Sequence, residues 1–169
     1  MESRVPHVVD GWYPLGEPRA RTDDEVFEAL AAAVFQARFR PAVVRTRWPA
    51  IRRAFAEFRL REVARWPDSE AERLLEAPGM IRSPKKVRAC LRNSRQLARL
   101  SDLHGNLVAY LDSFAPDLEA LAADIDGWAS YVGAPSIRWF LTCVGLPSRW
   151  ARRAAAAPEP KPTQDGATR

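Results

Sequence analysis

TDDEVFEALAAAVFQARFRPAVVRTRW, residues 22–48, is the stretch from which the fold class is read. Thr22 and Glu25 stand at capping-box spacing: the Thr hydroxyl accepts from a free amide of the first turn while the Glu reaches back. Val26, Phe27, Leu30 and Val34 follow at helical spacing, so a helix is expected to about Ala37 with that face in the core. Pro41 suits the first turn of a second helix, where a missing N–H costs nothing. Pro49 is expected to kink or restart that helix, and Ile51, Ala54, Phe55 and Phe58 supply its apolar side. Between positions 34 and 48 four arginines stand among apolar residues without one acid. That pattern suits either a solvated basic face or a wall built to meet phosphate.

The rest of the chain repeats the helical pattern. Residues 60–66 read as a short helix, and Asp68 or Ser69 as the cap of another, with Glu72 at box spacing from Ser69 and Pro78-Gly79 at its end. Ser83-Pro84 opens the longest helix, to about Leu100, with Val87, Leu91 and Leu97 on its apolar side. Residues 106–114 and 116–125 form two more, 127–133 a turn, and 135–144 a further helix, while 148–157 are at best a marginal extension. Alternating stretches are short and poor in Val, Ile and Thr, so no strand is expected. The predicted architecture is all-α: about eight short helices over residues 22–150. A Pro- and Gly-rich arm, residues 1–21, precedes them. A tail, residues 151–169, follows, and its end PEPKPTQDGATR is too polar to bury a core.

Composition narrows the function classes. About half the residues are apolar, which excludes a wholly disordered chain. No run approaches the roughly 18 apolar residues of a membrane span, and MESRVPHVVDGW has no signal-peptide core. Cys90 and Cys143 are far apart, without a CxxC partner, and read as reduced buried thiols of a cytosolic protein. With only His7 and His104 beside them, no metal-ligand spacing is present and no cofactor is expected.

Charge is uneven: nine arginines against two acids in residues 38–65, seven Lys or Arg and no acid in 82–99, six acids and no Lys or Arg in 102–126. Such a polarised surface favours a polyanionic partner, although 23 arginines against 3 lysines is also what a GC-rich genome produces.

Two further stretches carry chemistry. In IDGWASYVGAPSIRWF, residues 125–140, a helix end, a short turn with Tyr131 and Gly133, and a new helix with Pro135 and Ser136 near its start have the layout of a helix–hairpin–helix. There a Gly allows close backbone approach, and the free amides and dipole of the second helix suit a DNA phosphate. A plain cap and turn between core helices fits the same residues. In PGMIRSPKKVR, residues 78–88, Arg82, Lys85 and Lys86 crowd a helix start, where cations are unfavourable. Either an external anion or plain solvation answers that placement.

Taken together, VFEALAAAVFQA, RWPAIRRAFAEFRLREVARW, SEAERLLEAPGMIRSPKKVRACLRNSRQL and SYVGAPSIRWFLTCVGLP resemble, in order and spacing, the DNA-3-methyladenine glycosylase I family of the helix–hairpin–helix glycosylases, over about residues 24–147. Phe27, Glu28, Gln36, Ala37, Arg52, Ala54, Phe55 and Phe58 meet one family pattern. Gly79, Ile81, Arg82, Lys86, Val87, Ala89 and Asn93 meet a second, and Tyr131, Val132, Gly133, Ser136 and Phe140 a third. The resemblance implies an enzyme of base-excision repair, acting as a monomer on double-stranded DNA in the bacterial cytosol. It would extract an alkylated base from the stack into an aromatic pocket and hydrolyse its glycosidic bond. It further implies a base pocket, in which Gln36 would meet a base edge or else cap a neighbouring helix, and which Phe35, Phe39, Trp48 and Trp12 would line in reshaped form or else serve as core and partly buried surface rings; DNA contacts are expected from Arg82, Lys85, Lys86, Tyr131, Gly133 and Ser136.

The departures lie in the pocket. Ala33 stands where the family has a Glu, Pro41 where it has a Trp, and Arg38 and Arg40 replace Gly and Ser. The family's zinc ligands from both termini are not matched either: after Gly145-Leu-Pro147 the chain reads Ser-Arg-Trp. Catalytic residues are therefore unassigned. A non-catalytic DNA-binding module on the same fold stays open, as does a protein–protein adaptor.

Overall fold

A computed structural model describes residues 12–158, and its organising element is the helix that Thr22 opens. Thr22 Oγ1 accepts from the Glu25 amide (3.2 Å) and Glu25 reaches back to the Arg21 amide (3.3 Å), so the capping box closes one residue early. Helix α1 (Asp23–Gln36) is buried on every side from Val26 to Phe35. Four alanines in that run let its neighbours approach closely. Helices α2 (Pro41–Ala54), α5 (Pro84–His104), α6 (Leu107–Asp112) and α8 (Ala134–Cys143) pack around it. A 3-10 turn (Ala56–Phe58), α3 (Leu60–Val63), α4 (Glu70–Glu76), α7 (Leu118–Trp128) and α9 (Ser148–Ala156) complete an all-α fold, without a strand among the described residues.

The two acids at the head of α1 also cap other helices. Asp24 accepts from the Leu60 amide at the start of α3 (2.8 Å), and Asp23 accepts from the Leu107 amide at the start of α6 (2.8 Å) and from the Ser101 hydroxyl. Each takes up an amide that its helix leaves unpaired.

Several expectations are corrected. The second helix does not restart at Pro49 but runs through it to Ala54, with Pro49 on an exposed side. Ser69 makes no side-chain cap bond, so the second capping box does not form. The longest helix passes Leu100 and ends at His104, and α7 passes Gly127 to Trp128. Residues 148–157, read as a marginal helical extension, form α9 to Ala156, which buries Trp150. Residues 1–11 of the arm and 159–169 of the tail lie outside the described residues.

Candidate DNA interface and base pocket

Aromatic rings link the arm, α1, α2 and α8. Trp12, from the arm, stacks on Trp139 of α8 (6.3 Å between centroids) and sets its edge on Trp48 of α2 (6.0 Å). Trp48 in turn meets Phe35 edge-on (6.1 Å) and Phe58 face-on (5.3 Å). The periodicity of α2 explains the placement of Trp48, since Val44, Trp48 and Ile51 form its buried stripe. Left-handed backbone at Ala56, Glu57 and Phe58 costs roughly 1–2 kcal/mol per residue. That turn seats Phe58 against both Trp48 and Phe55, and aromatic stacking offsets part of the cost.

Glu28 lies beneath this cluster and is 4% exposed. It accepts from Trp48 Nε1 (2.9 Å). Arg52 Nε stands 2.9 Å from the same Glu28 oxygen but is misaligned for a hydrogen bond, so the contact is electrostatic; the other end of Arg52 reaches Glu57 (2.9 Å). Burial pushes the Glu28 carboxyl above its ordinary range by more than Trp48 and Arg52 pull it down. Glu28 is thus the acid that the fold brings to the aromatic cluster, and it is already engaged there.

The predicted base-pocket residues separate into two groups. Phe35 is sealed in the core, against Trp48 and Phe55. Trp12 is half-buried and Phe39 is 41% exposed. Gln36, on the last turn of α1, carries a buried Nε2 without a hydrogen-bond partner among the described residues. A buried amide donor left unpaired costs about 1–3 kcal/mol. At position 33 the expected Glu is replaced by a buried alanine, and Pro41 opens α2 where the family Trp would stand. Arg38, at φ 54°, and Arg40 are exposed.

The predicted DNA-contact residues divide similarly. Lys86 is 4% exposed; its ammonium donates to the Phe35 carbonyl (2.7 Å) at the C-terminal end of α1 and lies 4.6 Å from the Phe39 ring centre. That end of a helix dipole favours a cation, and burial lowers the Lys86 pKa. Lys86 is therefore turned away from any external phosphate and fastens α5 to α1. Arg82 and Lys85 are exposed, and Lys85, Arg88 and Arg92 make an exposed basic row on α5. Arg92 Nε donates to Ser130 Oγ (3.3 Å), so this row runs up to the turn between α7 and α8.

That turn is held by Asn93. Its Nδ2 donates to the Ser130 carbonyl (3.1 Å) and its Oδ1 accepts from the Ser130 amide (2.7 Å). Tyr131, at φ 60°, is 41% exposed. Gly133 is exposed with φ −105°, and a Cβ there would meet only Pro135 Cδ at 3.9 Å, an ordinary contact. No strain and no internal neighbour demands a glycine at 133. The first intrahelical bond of α8 runs from the Ile137 amide to Gly133, which leaves the Ala134 and Ser136 amides ahead of it. Ser136 is half-buried beside them.

Four features of the site went unread in the sequence: Trp139 as the partner of Trp12, the Glu28–Trp48 bond, the Asn93 clamp and the inward turn of Lys86. Periodicity carried a signal for the last. Lys86, Cys90, Asn93, Leu97 and Ser101 follow at helical spacing and all are buried.

No group of three His, Cys, Asp or Glu side chains suited to a metal ion occurs among the described residues. Both cysteines are buried, and burial drives their thiols far up. Zinc ligation of the family type does not fit these residues. Where the family's C-terminal ligands would follow α8, Asp112 instead accepts from Arg149 Nε (3.0 Å) and Nη2 (2.8 Å), Trp150 Nε1 (3.0 Å) and Arg153 Nη1 (2.7 Å), which fastens α9 to α6.

A family model described as methyladenine glycosylase matches residues 13–130. Among solved structures, the chain is similar to 3-methyladenine DNA glycosylase I from Staphylococcus aureus, at 18% identity and a TM-score of 0.69, covering 80% of this chain and 81% of that one. A crystal structure of a 3-methyladenine DNA glycosylase I gives 21% identity and 0.66, over 80% and 84% of the two chains. A solution structure of 3-methyladenine DNA glycosylase I gives 23% and 0.63, over 86% and 89%. No curated protein matches. The structural likeness establishes the fold.

Proposed function

The chain belongs to the methyladenine glycosylase family, and from that premise we propose that it hydrolyses the N-glycosidic bond of an alkylated purine in double-stranded DNA, without a metal. The observation that carries this reading is Gln36: a buried amide donor without a hydrogen-bond partner among the described residues, in the register of the family's base pocket and three residues before the exposed Phe39. An extruded base with an acceptor on its edge satisfies that donor. The hairpin supports the same reading. Glycine at 133 carries no side chain in front of the Ala134 and Ser136 amides, which leaves room for a phosphate to approach them. Arg82, Lys85 and Tyr131 are exposed and open to the same partner. An alkylated purine is already a good leaving group, so binding and electrostatic stabilisation of the sugar cation supply much of the rate. Because Ala33 removes the family's pocket acid, the base preference is shifted from 3-methyladenine itself.

One observation favours a second reading, a DNA-binding module without chemistry. Glu28, the acid at the cluster, is locked to Trp48 and Arg52 rather than free to act on a substrate.

The deciding experiment incubates the protein with duplexes carrying several alkylated purines and scores abasic sites. Release of at least one such base is expected, reduced about tenfold in Gln36→Ala by loss of one hydrogen bond in a desolvated site. Release of none, with duplex binding intact, replaces this reading with the second. Gly133→Trp is expected to weaken duplex binding in either case.

A further inference from the structure

We propose that the recess between the arm and α9 binds a small molecule bearing two linked phosphates, at a site separate from the DNA interface. The recess has a volume of about 330 Å³, and its walls include Arg19 from the arm, Arg149, Arg152 and Arg153 from α9, and Val144 and Gly145 at the end of α8.

Four arginines thus line one concavity, and among the described residues the carboxylate paired with any of them is Asp112, bound to Arg149 and Arg153. Among the described residues that leaves a local surplus of three positive charges. Arg149 stands three and four residues from Arg152 and Arg153, a spacing at which like charges repel. An anion in the recess relieves that repulsion.

The donors are also available. A guanidinium has five N–H groups. Arg149 gives Nε and Nη2 to Asp112 and Arg153 gives Nη1, so each keeps others for a ligand. Arg19 and Arg152 have no carboxylate within ion-pair distance among the described residues and are exposed.

The walls are fixed in advance. Gly145 has φ +91°, and a Cβ there would meet the Pro18 carbonyl oxygen at 2.9 Å, so the arm backbone lies directly against it. The Ala20 amide donates to the Val144 carbonyl (3.5 Å), which holds Arg19 at the rim. Asp112 holds Arg149 on the opposite side. Such preorganisation reduces what binding must order.

The chemistry selects the ligand class. Guanidinium forks match phosphate oxygens in pairs. The lining has no aromatic ring on which a nucleobase would stack. Its volume is near the lower end for small-molecule sites. A short phosphate chain fits those three conditions.

Position separates the recess from the proposed DNA contact, and only this step rests on that reading. The hairpin is at the N-terminus of α8 and the recess beyond its C-terminus. Ten helical residues rise about 15 Å. A duplex docked on Gly133 lies at the far end of that helix.

The test is calorimetric titration of the full chain with pyrophosphate at matched ionic strength. One saturable site is expected, weakened at least tenfold in the double variant Arg19→Gln, Arg152→Gln. Neither substitution touches the Asp112 clamp, and the variant's melting temperature without pyrophosphate checks that it is folded. No saturable binding, or equal binding by the folded double variant, overturns the proposal. So does displacement of pyrophosphate by an undamaged duplex, which would assign the recess to DNA. Base release by the double variant is read separately and is expected to be unchanged, so failure here and failure of the glycosylase reading are distinct results.

Discussion

Glu28 and Asp112 are both carboxylates that the fold draws inward from a helix, and their surroundings move them in opposite directions. At Glu28, burial raises the carboxyl's pKa by more than the Trp48 N–H and Arg52 lower it. At Asp112, burial also pushes upward, but the donors on Arg149, Trp150 and Arg153 outweigh it and hold the carboxyl below its ordinary range. The two sites differ in depth and in donors together: Glu28 is the deeper and accepts one well-aligned hydrogen bond, whereas Asp112 is shallower and accepts four, and both differences favour the charged form at Asp112. That difference separates two kinds of construction: a deep wall whose acid is held by one aligned donor, and a shallower clasp whose acid is held by four.

The largest effect is expected at the clasp. Asp112→Ala removes four hydrogen bonds, two of them from an Arg149 that is itself mostly covered, and a loss of about 3 kcal/mol is expected. Urea unfolding measures it, and a red shift of Trp150 emission would mark release of α9. At the wall, Glu28→Ala leaves the buried Trp48 N–H unpaired, while Arg52 keeps Glu57; about 2 kcal/mol is expected. If the Glu28 variant proves the more damaging of the two, the ranking by donors is wrong.

Opposite shifts give opposite pH signatures. The folded pKa of Asp112 lies below its ordinary 3.8. Its stabilisation is complete above that value and is lost as pH falls through the lower folded value, so wild type and Asp112→Asn converge in acid. The folded pKa of Glu28 lies above its ordinary 4.5. There the native state holds the proton longer, so stability falls as pH climbs from 4.5 to the folded value. The advantage of wild type over Glu28→Gln therefore shrinks with rising pH. Unfolding midpoints measured from about pH 2 to about pH 7 distinguish the two trends. The smallest effect is expected from a chelator: with the clasp fastening α9 by ion pairs, EDTA should leave the melting temperature where it was.

Local signals made much of the fold legible. Thr22, Ser83 and Pro41 open helices where capping and proline chemistry say they should. Ser69 misled because its backbone is already helical, so its hydroxyl is not aimed at the first turn. The limits of α9 were read to within a residue, but its anchoring was invisible for another reason. Arg149 and Trp150 depend on Asp112, 37 and 38 residues away, and no window along the helix contains that partner. At the site, the register of Gln36, Gly133 and Asn93 came through the family pattern, whereas the direction of Lys86 did not. A basic residue at a helix start suggests an external anion, but here the carbonyl at the end of α1 is the acceptor. The aromatic contacts of Trp12 and Trp139 join distant segments and leave no local periodicity to read.

The paired acids at the head of α1 have a consequence for how the molecule comes apart. Asp24 and Asp23 tie residues 36 and 84 positions downstream to a single turn of backbone. Fraying of that turn would uncap α3 and α6 together. The two halves of the chain therefore have no separate melting transition open to them, and heat capacity and far-ultraviolet dichroism should trace one coincident unfolding curve.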